Sequence, residues 1–512
     1  MKTTFSYDKV PYPSYTFPQT HPDRLATIAT FHGIDAAEPE NCRVLELGCG
    51  DGTNLISMAY SLPSSRFVGI DLSEVHINDA KLTAETLGLT NVEFRQEDVL
   101  KLDTAELGEF DFIVAHGLYS WVPDFVRDAV LNIYNACLAP NGVGYISFNA
   151  YPGCHIRDMT RGMMQFHARN IADPIEKVEQ GLSLLRFVAD GVENDTVYQS
   201  TLKLEIEQIE DRSPQNIFHD DFSDVNQPFY FYEFVEQIGS NGLQYLADSD
   251  PTSATMSELP PEVRNSFSAL DDLVQREQYM DFIKCRRFRS SLICKSDVKV
   301  NRNPSRSVLE QLLAASHVES EAPLANIVDS TAVRFTGPKG ASIEINHPLT
   351  KAALFYLKNI WSRSIPFPDL IKEARKMLGD FNNDTFKEAS ERTAAFFIQL
   401  YGAGFVKFHR HTPDFAYEVG EFPTASAFAR WQISRSSKSV TTLSGLNLEP
   451  EFEAVRVLIS LLDGTRDKNA LVSEMKEIFE VPDEQRKAFE NQLPQMIDSN
   501  LAKLAESGLL IA

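Results

Sequence analysis

Arg43-Val44-Leu45-Glu46-Leu47, a short apolar run with a β-branched residue, leads directly into Gly48-Cys49-Gly50-Asp51-Gly52 and then into a helix-like stretch, Thr53 to Ser61. Strand, glycine turn and helix in that order open a βαβ unit. The same pattern recurs. Arg66-Phe67-Val68-Gly69-Ile70 ends in Asp71, and Ser73 is placed to cap an amphipathic segment reaching Leu87. Val92-Glu93-Phe94 leads to Asp98, Phe110 to Val114 leads to His116, and Gly144 to Phe148 leads to Asn149. Strands alternating with helices predict a doubly wound, largely parallel sheet, whose ligands lie outside the carboxyl ends of the strands. Every polar or glycine residue just named falls at such an end. Glycines there allow a tight turn and let backbone approach a ligand with no Cβ between.

The ligand is narrowed by what the turn lacks. A dinucleotide fingerprint G-x-G-x-x-G needs glycine at position 53, where Thr53 stands, and a phosphate loop G-x-x-x-x-G-K-[ST] is absent. What remains is E-L-G-C-G-D-G, with Asp71 placed 71 − 48 = 23 positions after Gly48 and a further acid at Asp98. This resembles the class I S-adenosylmethionine-dependent methyltransferases, whose cofactor carries no phosphate. The resemblance implies that the Gly48–Gly52 turn, with Glu46, Gly48, Cys49 and Gly50, faces the methionine part of S-adenosyl-L-methionine. It implies that Asp71, with Leu72 beside it, meets the ribose hydroxyls. Asp98 and the backbone of Val99 would meet the adenine, and His116 would help to close the pocket. Cys49 then serves as spacing in the turn rather than as a nucleophile, and no metal is called for.

Two aromatic segments follow the fourth and fifth strands: Ala115-His116-Gly117-Leu118-Tyr119-Ser120-Trp121-Val122-Pro123 and Asn149-Ala150-Tyr151-Pro152-Gly153-Cys154. Both should lie beside the transferable methyl group. An amine acceptor must be neutral to attack, whereas a lysine side chain has an ordinary pKa of about 10.4. An aromatic pocket lowers that value by desolvation and holds alkylated ammonium through cation–π contact worth roughly 0.5–2 kcal/mol. Tyr119, Trp121 and Tyr151 are therefore the candidate catalytic residues, although such rings on loops also serve as core lids.

The opening Ser6-Tyr7-Asp8 and Pro11-Tyr12-Pro13, then Thr20-His21-Pro22-Asp23-Arg24-Leu25-Ala26, A-H-G-L-Y-S-W-V-P and N-A-Y-P-G, bring a closer likeness. Later strings continue it: Phe218-His219-Asp220-Asp221, Gly242-Leu243-Gln244-Tyr245-Leu246-Ala247, R-R-F-R-S-S-L-I-C from Arg286, and Leu461-Leu462-Asp463-Gly464-Thr465-Arg466. In this order they resemble the rickettsial-type protein lysine methyltransferases that carry a methyltransferase regulatory domain. By that resemblance Tyr12, Asn149 and His219 join the substrate-binding set. The chain departs from the family at Ala150 and Cys154, where a hydroxyl residue and a tryptophan are usual, and at Asp220-Asp221, where H-E-Y is usual. The acceptor side is thus where this chain differs.

The helical stretch at 155–212 interrupts the sheet, and strands within 243–295 should close it, so the catalytic unit is expected to span 1–298. The resemblance implies that such an insertion supports a homodimer; a monomeric substrate-side lid is the alternative. Beyond a polar linker, 299–422 suggests a winged-helix-like middle domain and 423–512 a final helical domain, with no internal repeat evident. With Lys+Arg at 48 and Asp+Glu at 72, the net charge of −24 disfavours nucleic acid and suits basic partners. No apolar run approaches the ~20 residues of a membrane span, no signal-peptide core is visible, and six sparse cysteines suggest reduced thiols. A cytoplasmic location is expected. Some 512 − 298 = 214 residues outside the catalytic unit favour a macromolecular acceptor. The leading expectation is a protein lysine N-methyltransferase. A methyltransferase acting on a small molecule or another macromolecular atom, and an inactive cofactor-binding regulatory protein, are the alternatives.

Overall fold

The computed structural model describes residues 10, 15–253, 255–256, 259–379, 383–479 and 482–512. Its centre is a seven-stranded sheet. The strands are β1 (Arg43–Leu47), β2 (Arg66–Asp71), β3 (Val92–Gln96), β4 (Phe110–Ala115), β5 (Leu138–Asn149), β6 (Leu243–Asp248) and β7 (Phe288–Lys295), in the order β3-β2-β1-β4-β5-β7-β6. β1 runs parallel to both β2 and β4, while β7 runs antiparallel to β5 and β6. The order reverses at β1, so the glycine turn that follows it opens at the topological switch point.

Alternation along the strands builds two cores. Val44, Phe112, Val114 and Tyr145 face one side, against the helices Pro22–Phe31, Thr53–Ser61 and Glu74–Thr86. Leu45, Leu47, Ile113 and Phe148 face the other, against Asp124–Cys137 and Phe231–Ser240. The helix predicted after β2 starts as expected, with the Ser73 hydroxyl accepting the His76 amide at 3.3 Å.

Between β5 and β6 the chain leaves the sheet for four helices, Cys154–Ala168, Pro174–Gly191, Val197–Glu210 and Pro214–Asp221. Asp173, Thr196 and Ser213 cap the last three through side-chain oxygens. Met164, Leu185, Leu202 and Ile217 give the insertion its own small core.

The remaining chain forms two units with one plan. In the first, Leu313–Ala315 is the central strand between Ile365–Pro366 and Lys407–His409, around the helices Pro348–Ile360, Phe367–Leu378 and Asn383–Gly402. In the second, Thr424 and Ala425 bridge to Asp463 and Leu510, around Glu453–Leu461, Lys468–Ile478 and Asp483–Glu506. Apart from a short hairpin in each, Val333–Thr336 with Ser342–Ile345 and Val440–Thr441 with Asn447–Leu448, and the helix Ala427–Ser434 in the second, both read as strand, helix, strand, two helices, strand, with single bridges standing for the strands in the second. The duplication lies in the order of elements rather than in residues.

The segment before Phe31 ties these units together. The Thr16 hydroxyl donates to the Gly445 carbonyl at 2.8 Å. The Asp23 carboxylate lies 2.8 Å from His409 Nδ1 and accepts the Arg410 and His411 amides at 2.6 and 2.9 Å. His409-Arg410-His411 is thus an interdomain clasp. Among the described residues no helix is long and apolar enough to cross a membrane, and the cysteines are free, with Cys285 the exposed one.

Candidate active site

The turn after β1 takes its shape from glycine. Gly48, Gly50 and Gly52 have φ of 72°, 55° and 74°, the left-handed region that other residues avoid. Their surroundings differ. A Cβ on Gly52 would lie 2.5 Å from the Phe94 ring and 2.9 Å from the Ala80 methyl, so this position serves helix–strand packing. A Cβ on Gly50 would meet nothing within 4 Å, so the backbone there borders open space. Asp71, at the end of β2, holds the turn from beneath: its carboxylate accepts the Gly50 amide at 2.9 Å and the Ser73 amide at 2.8 Å. Two acceptor sites on that carboxylate remain for a ligand.

Glu46 is the electrostatic centre. It is 3% exposed, and Oε1 accepts from Asn54 Nδ2 at 2.9 Å while Oε2 is buried without a partner. Burial, with Asp51 and Asp71 nearby, pushes its carboxyl up to about 8, despite the Asn54 bond that opposes the rise. A buried acid with one orphaned oxygen beside an open glycine cradle suits a cationic group. Cys49 is buried, which raises its thiol far above the ordinary value and removes it as a nucleophile. Asp98 turns the chain after β3, accepting the Leu100 amide at 3.0 Å, with the Lys101 ammonium 3.3 Å from its other oxygen. Leu72 is exposed, and the neighbouring Val99 packs at the edge of a sheet core.

His116 ends β4. Its Nδ1 is 3.0 Å from the Tyr145 hydroxyl, its ring stacks on Phe17 at 3.7 Å between centroids, and burial pushes its pKa down to about 3, so the imidazole is neutral. Phe17 in turn donates its amide to Asn54 Oδ1 at 2.9 Å. The N-terminal segment therefore crosses beside the turn and braces Glu46 through Asn54.

At the end of β5 the acceptor candidates separate. Tyr151 stacks on His155 at 3.9 Å, with the Tyr230 ring 5.3 Å away, and donates its hydroxyl to Asp158 at 3.1 Å. Burial, reinforced by Asp158, pushes that hydroxyl up to about 12. Asn149 is buried, donates its backbone amide to the Ser120 hydroxyl oxygen at 2.9 Å, and donates from Nδ2 to Asn226 Oδ1 at 2.8 Å. Tyr119 corrects the expectation. It is 0% exposed, packs among Phe148, Phe229 and Phe234, and donates its hydroxyl to Gln237, so it supports the loop from inside the core and does not line the cleft. Trp121 is half-buried in the turn that follows. His219 lies in the insertion, where its Nε2 is 2.6 Å from the Val10 carbonyl oxygen. Tyr12, like Tyr7, lies outside the described residues. Sequence reasoning assigned no role to Asn54, Phe17, His155 or Tyr230. Phe17 and Tyr230 lie far in sequence from His116 and Tyr151, the rings they touch, whereas His155 follows Tyr151 by four positions and Asn54 follows Glu46 by eight.

The seven-stranded fold, the glycine cradle beside a buried acid and the acid ending β2 define an S-adenosylmethionine-dependent methyltransferase. Comparison with known proteins gives the family. A methyltransferase domain family matches residues 38–183, the predicted methyltransferase regulatory domain matches 213–295, and the PKMT C-terminal winged helix domain matches 421–509. An uncharacterised protein of Rickettsia prowazekii is 34% identical over 481 residues, covering 91% of this chain and 84% of its own. A second protein of that organism is 37% identical over 47% of this chain and 96% of its own. The crystal structure of PKMT2 from Rickettsia typhi is similar with a TM-score of 0.86 at 29% identity, covering 98% of this chain and 100% of that one. The same protein in complex with AdoHcy gives 0.86 at 28%. The chain belongs to the family of these rickettsial PKMT proteins and uses S-adenosylmethionine. Its regulatory-domain region is physically part of the catalytic sheet, since it contains β6 and β7.

Proposed function

We propose that this methyltransferase is a protein lysine N-methyltransferase that transfers directly to a deprotonated side-chain amine at the Tyr151 turn. The observation that carries the reading is the aromatic cluster of Tyr151, His155 and Tyr230 at the carboxyl end of β5, two strands from the cradle after β1. The family's own name, and that of PKMT2, support the same acceptor class.

Bound S-adenosylmethionine supplies a methyl group on a positively charged sulfur. Glu46 would receive the ammonium of its amino-acid part on Oε2, Gly48 to Gly50 would pass close beneath it, and Asp71 would accept from the ribose hydroxyls. Asp98 and Val99 would border the adenine, and His116, neutral and braced by Phe17, would close the wall. The acceptor side works by exclusion of water. A lysine amine entering between aromatic rings loses hydration, which favours the neutral form able to attack, and the product ammonium gains ring contacts. Asn149, held by Ser120 and Asn226, would offer its side-chain oxygen Oδ1 near the same strand end to orient an N–H, its backbone carbonyl being taken by the Phe229 amide. Positioning of this kind accounts for most of the rate in a direct displacement.

Incubation with methyl-labelled cofactor and a cell lysate tests the reading. Label on protein bands, recovered as methyl-lysine after hydrolysis and reduced by Tyr151→Ala, is expected. Label confined to the small-molecule fraction would refute it.

A further inference from the structure

Helices Phe231–Ser240 and Leu273–Lys284 lie side by side over the second core of the sheet, and their inner faces are committed. Phe231, Phe234 and Ile238 are buried, and Asp281 and Glu277 pair with Arg289. Their outer faces carry aromatic rings where a solvated helix would carry polar groups. Tyr232, Tyr279 and Phe282 are 41, 40 and 47% exposed. The rings form a path from the acceptor turn: Tyr151 to Tyr230 at 5.3 Å, Tyr230 to Tyr232 at 5.7 Å stacked, Tyr230 to Phe282 at 6.1 Å, and Phe282 to Tyr279 at 6.2 Å. A contiguous exposed patch of this kind marks an interaction surface.

Beside the patch opens a groove of about 450 Å³ whose lining includes Asp124, Glu233 and Glu236 over Phe229 and Arg127. The Arg127 guanidinium is buried and committed to Asp124 and the Val122 carbonyl, so Glu233 and Glu236 set the sign of the open side. The groove adjoins the acceptor turn through Phe229, whose carbonyl accepts the Tyr151 amide at 2.9 Å and whose backbone bridges to Ala150.

We infer that this aromatic face and acidic groove form a docking track for a basic stretch of polypeptide flanking the methylated lysine. The inference rests on the lysine reading above. Charge complementarity commits it to a basic occupant: a cation flanking the target lysine lays its stem on Tyr232 or Phe282 and points its head toward Glu233 and Glu236. A second copy of this chain would bring the same carboxylates to the same face, against a net charge of −24 on each copy. An extended chain advances about 3.3–3.6 Å per residue, so flanking residues only a few positions from the target reach the track.

Fluorescence anisotropy with a short labelled peptide of alternating lysine and serine tests it on the full chain. Wild type is expected to bind, more weakly as salt rises. The Tyr232→Ala, Glu236→Lys double variant should lose about ten-fold or more in affinity, at unchanged melting temperature and unchanged S-adenosylhomocysteine binding. Glu179→Lys, an exposed charge reversal on the insertion, should bind as wild type. Absence of binding by wild type, equal binding by the double variant, or an equal loss from Glu179→Lys would each overturn the assignment. So would a wild-type dimer in sedimentation that the double variant dissolves. Peptide binding through the track with no methyl-lysine formed in lysate would leave the surface standing and remove the lysine-transfer reading instead.

Discussion

Glu46 offers the sharpest quantitative test of the cofactor site. Its carboxyl is raised from an ordinary 4.5 to about 8, which at 1.36 kcal/mol per pH unit corresponds to roughly 5 kcal/mol against the ionised form. At pH 7 a group titrating at about 8 is about nine-tenths protonated. A ligand ammonium at the orphaned Oε2 reverses that preference, so binding at pH 7 should release close to one proton from this site. Calorimetry with S-adenosylhomocysteine in buffers of different ionisation enthalpy reads the number directly. Glu46→Gln mimics the protonated acid and keeps an acceptor for Asn54, so its binding should be weaker and release none from this position. The free protein supplies an independent check. Because the folded value lies above the unfolded one, no penalty exists at low pH; it grows as pH rises from 4.5 and is complete above about 8. The stability of Glu46→Gln relative to wild type should therefore climb across that window and level off beyond it. Proton release equal in wild type and variant, or none in either, would refute the argument.

Gly52→Ala and Gly50→Ala should both lower the melting temperature, since each puts a side chain at positive φ, but Gly52→Ala should lower it further because its Cβ also meets the Phe94 ring at 2.5 Å, while Gly50→Ala, with nothing within 4 Å, should add a loss of cofactor affinity; thermal melts and calorimetry separate the two. Asp71→Ala should weaken S-adenosylmethionine binding by about ten-fold or more, and wild-type affinity would remove Asp71 from the site. Tyr151→Ala should reduce methyl transfer more than cofactor binding, and equal loss in both would place Tyr151 on the cofactor side. Asp23→Ala should destabilise the chain, since three partners on 409–411 lose their acceptor. Asp23 titrates below its ordinary value, chiefly through His409 acting against the desolvation that raises it, so the stability it contributes is present above 3.8 and lost as pH falls through the folded value.

How much of this was legible follows from how local each signal is. Strand, glycine turn and helix are written in adjacent residues, so β1 to β5 and the acids at 46, 71 and 98 could be read directly, as could the Ser73 cap. Tyr119 and Tyr151 look alike by the same criterion, since each is an aromatic on a loop after a strand. They part because Phe229 and Phe234, more than a hundred positions from Tyr119, fold over it, whereas Tyr151 meets its neighbours at the surface. No local pattern carries that difference. The division read between 422 and 423 is less clean than expected, since Ala427–Ser434, just past it, is a helix whose Phe428 is buried against the catalytic sheet core. The duplicated plan of the last two units was hidden for another reason. A central strand of two or three residues set apart from its partners by tens of positions leaves no periodicity to detect.

The first described residues suggest why the catalytic unit and the downstream units form one molecule. Thr16 bonds to Gly445 in the last unit, Phe17 bonds to Asn54 and stacks on His116 at the cofactor site, and Asp23 holds 409–411 in the middle unit. These three contacts fall within eight residues, too short a span to relax independently. Asn54, which Phe17 fixes, is also the donor to Glu46 Oε1, so the geometry around the orphaned carboxylate oxygen depends on a segment anchored at both downstream units. Loss of either anchor should therefore show first as weaker cofactor binding rather than as unfolding. Thr16→Val combined with Asn447→Ala, which removes the hydroxyl bond to Gly445 and the Asn447 side-chain bonds to the Thr16 backbone and touches neither Glu46 nor Asp71, isolates that coupling: a loss of S-adenosylhomocysteine affinity larger than any loss of melting temperature explains is expected. Unchanged affinity would show that the cofactor site is braced without the last unit.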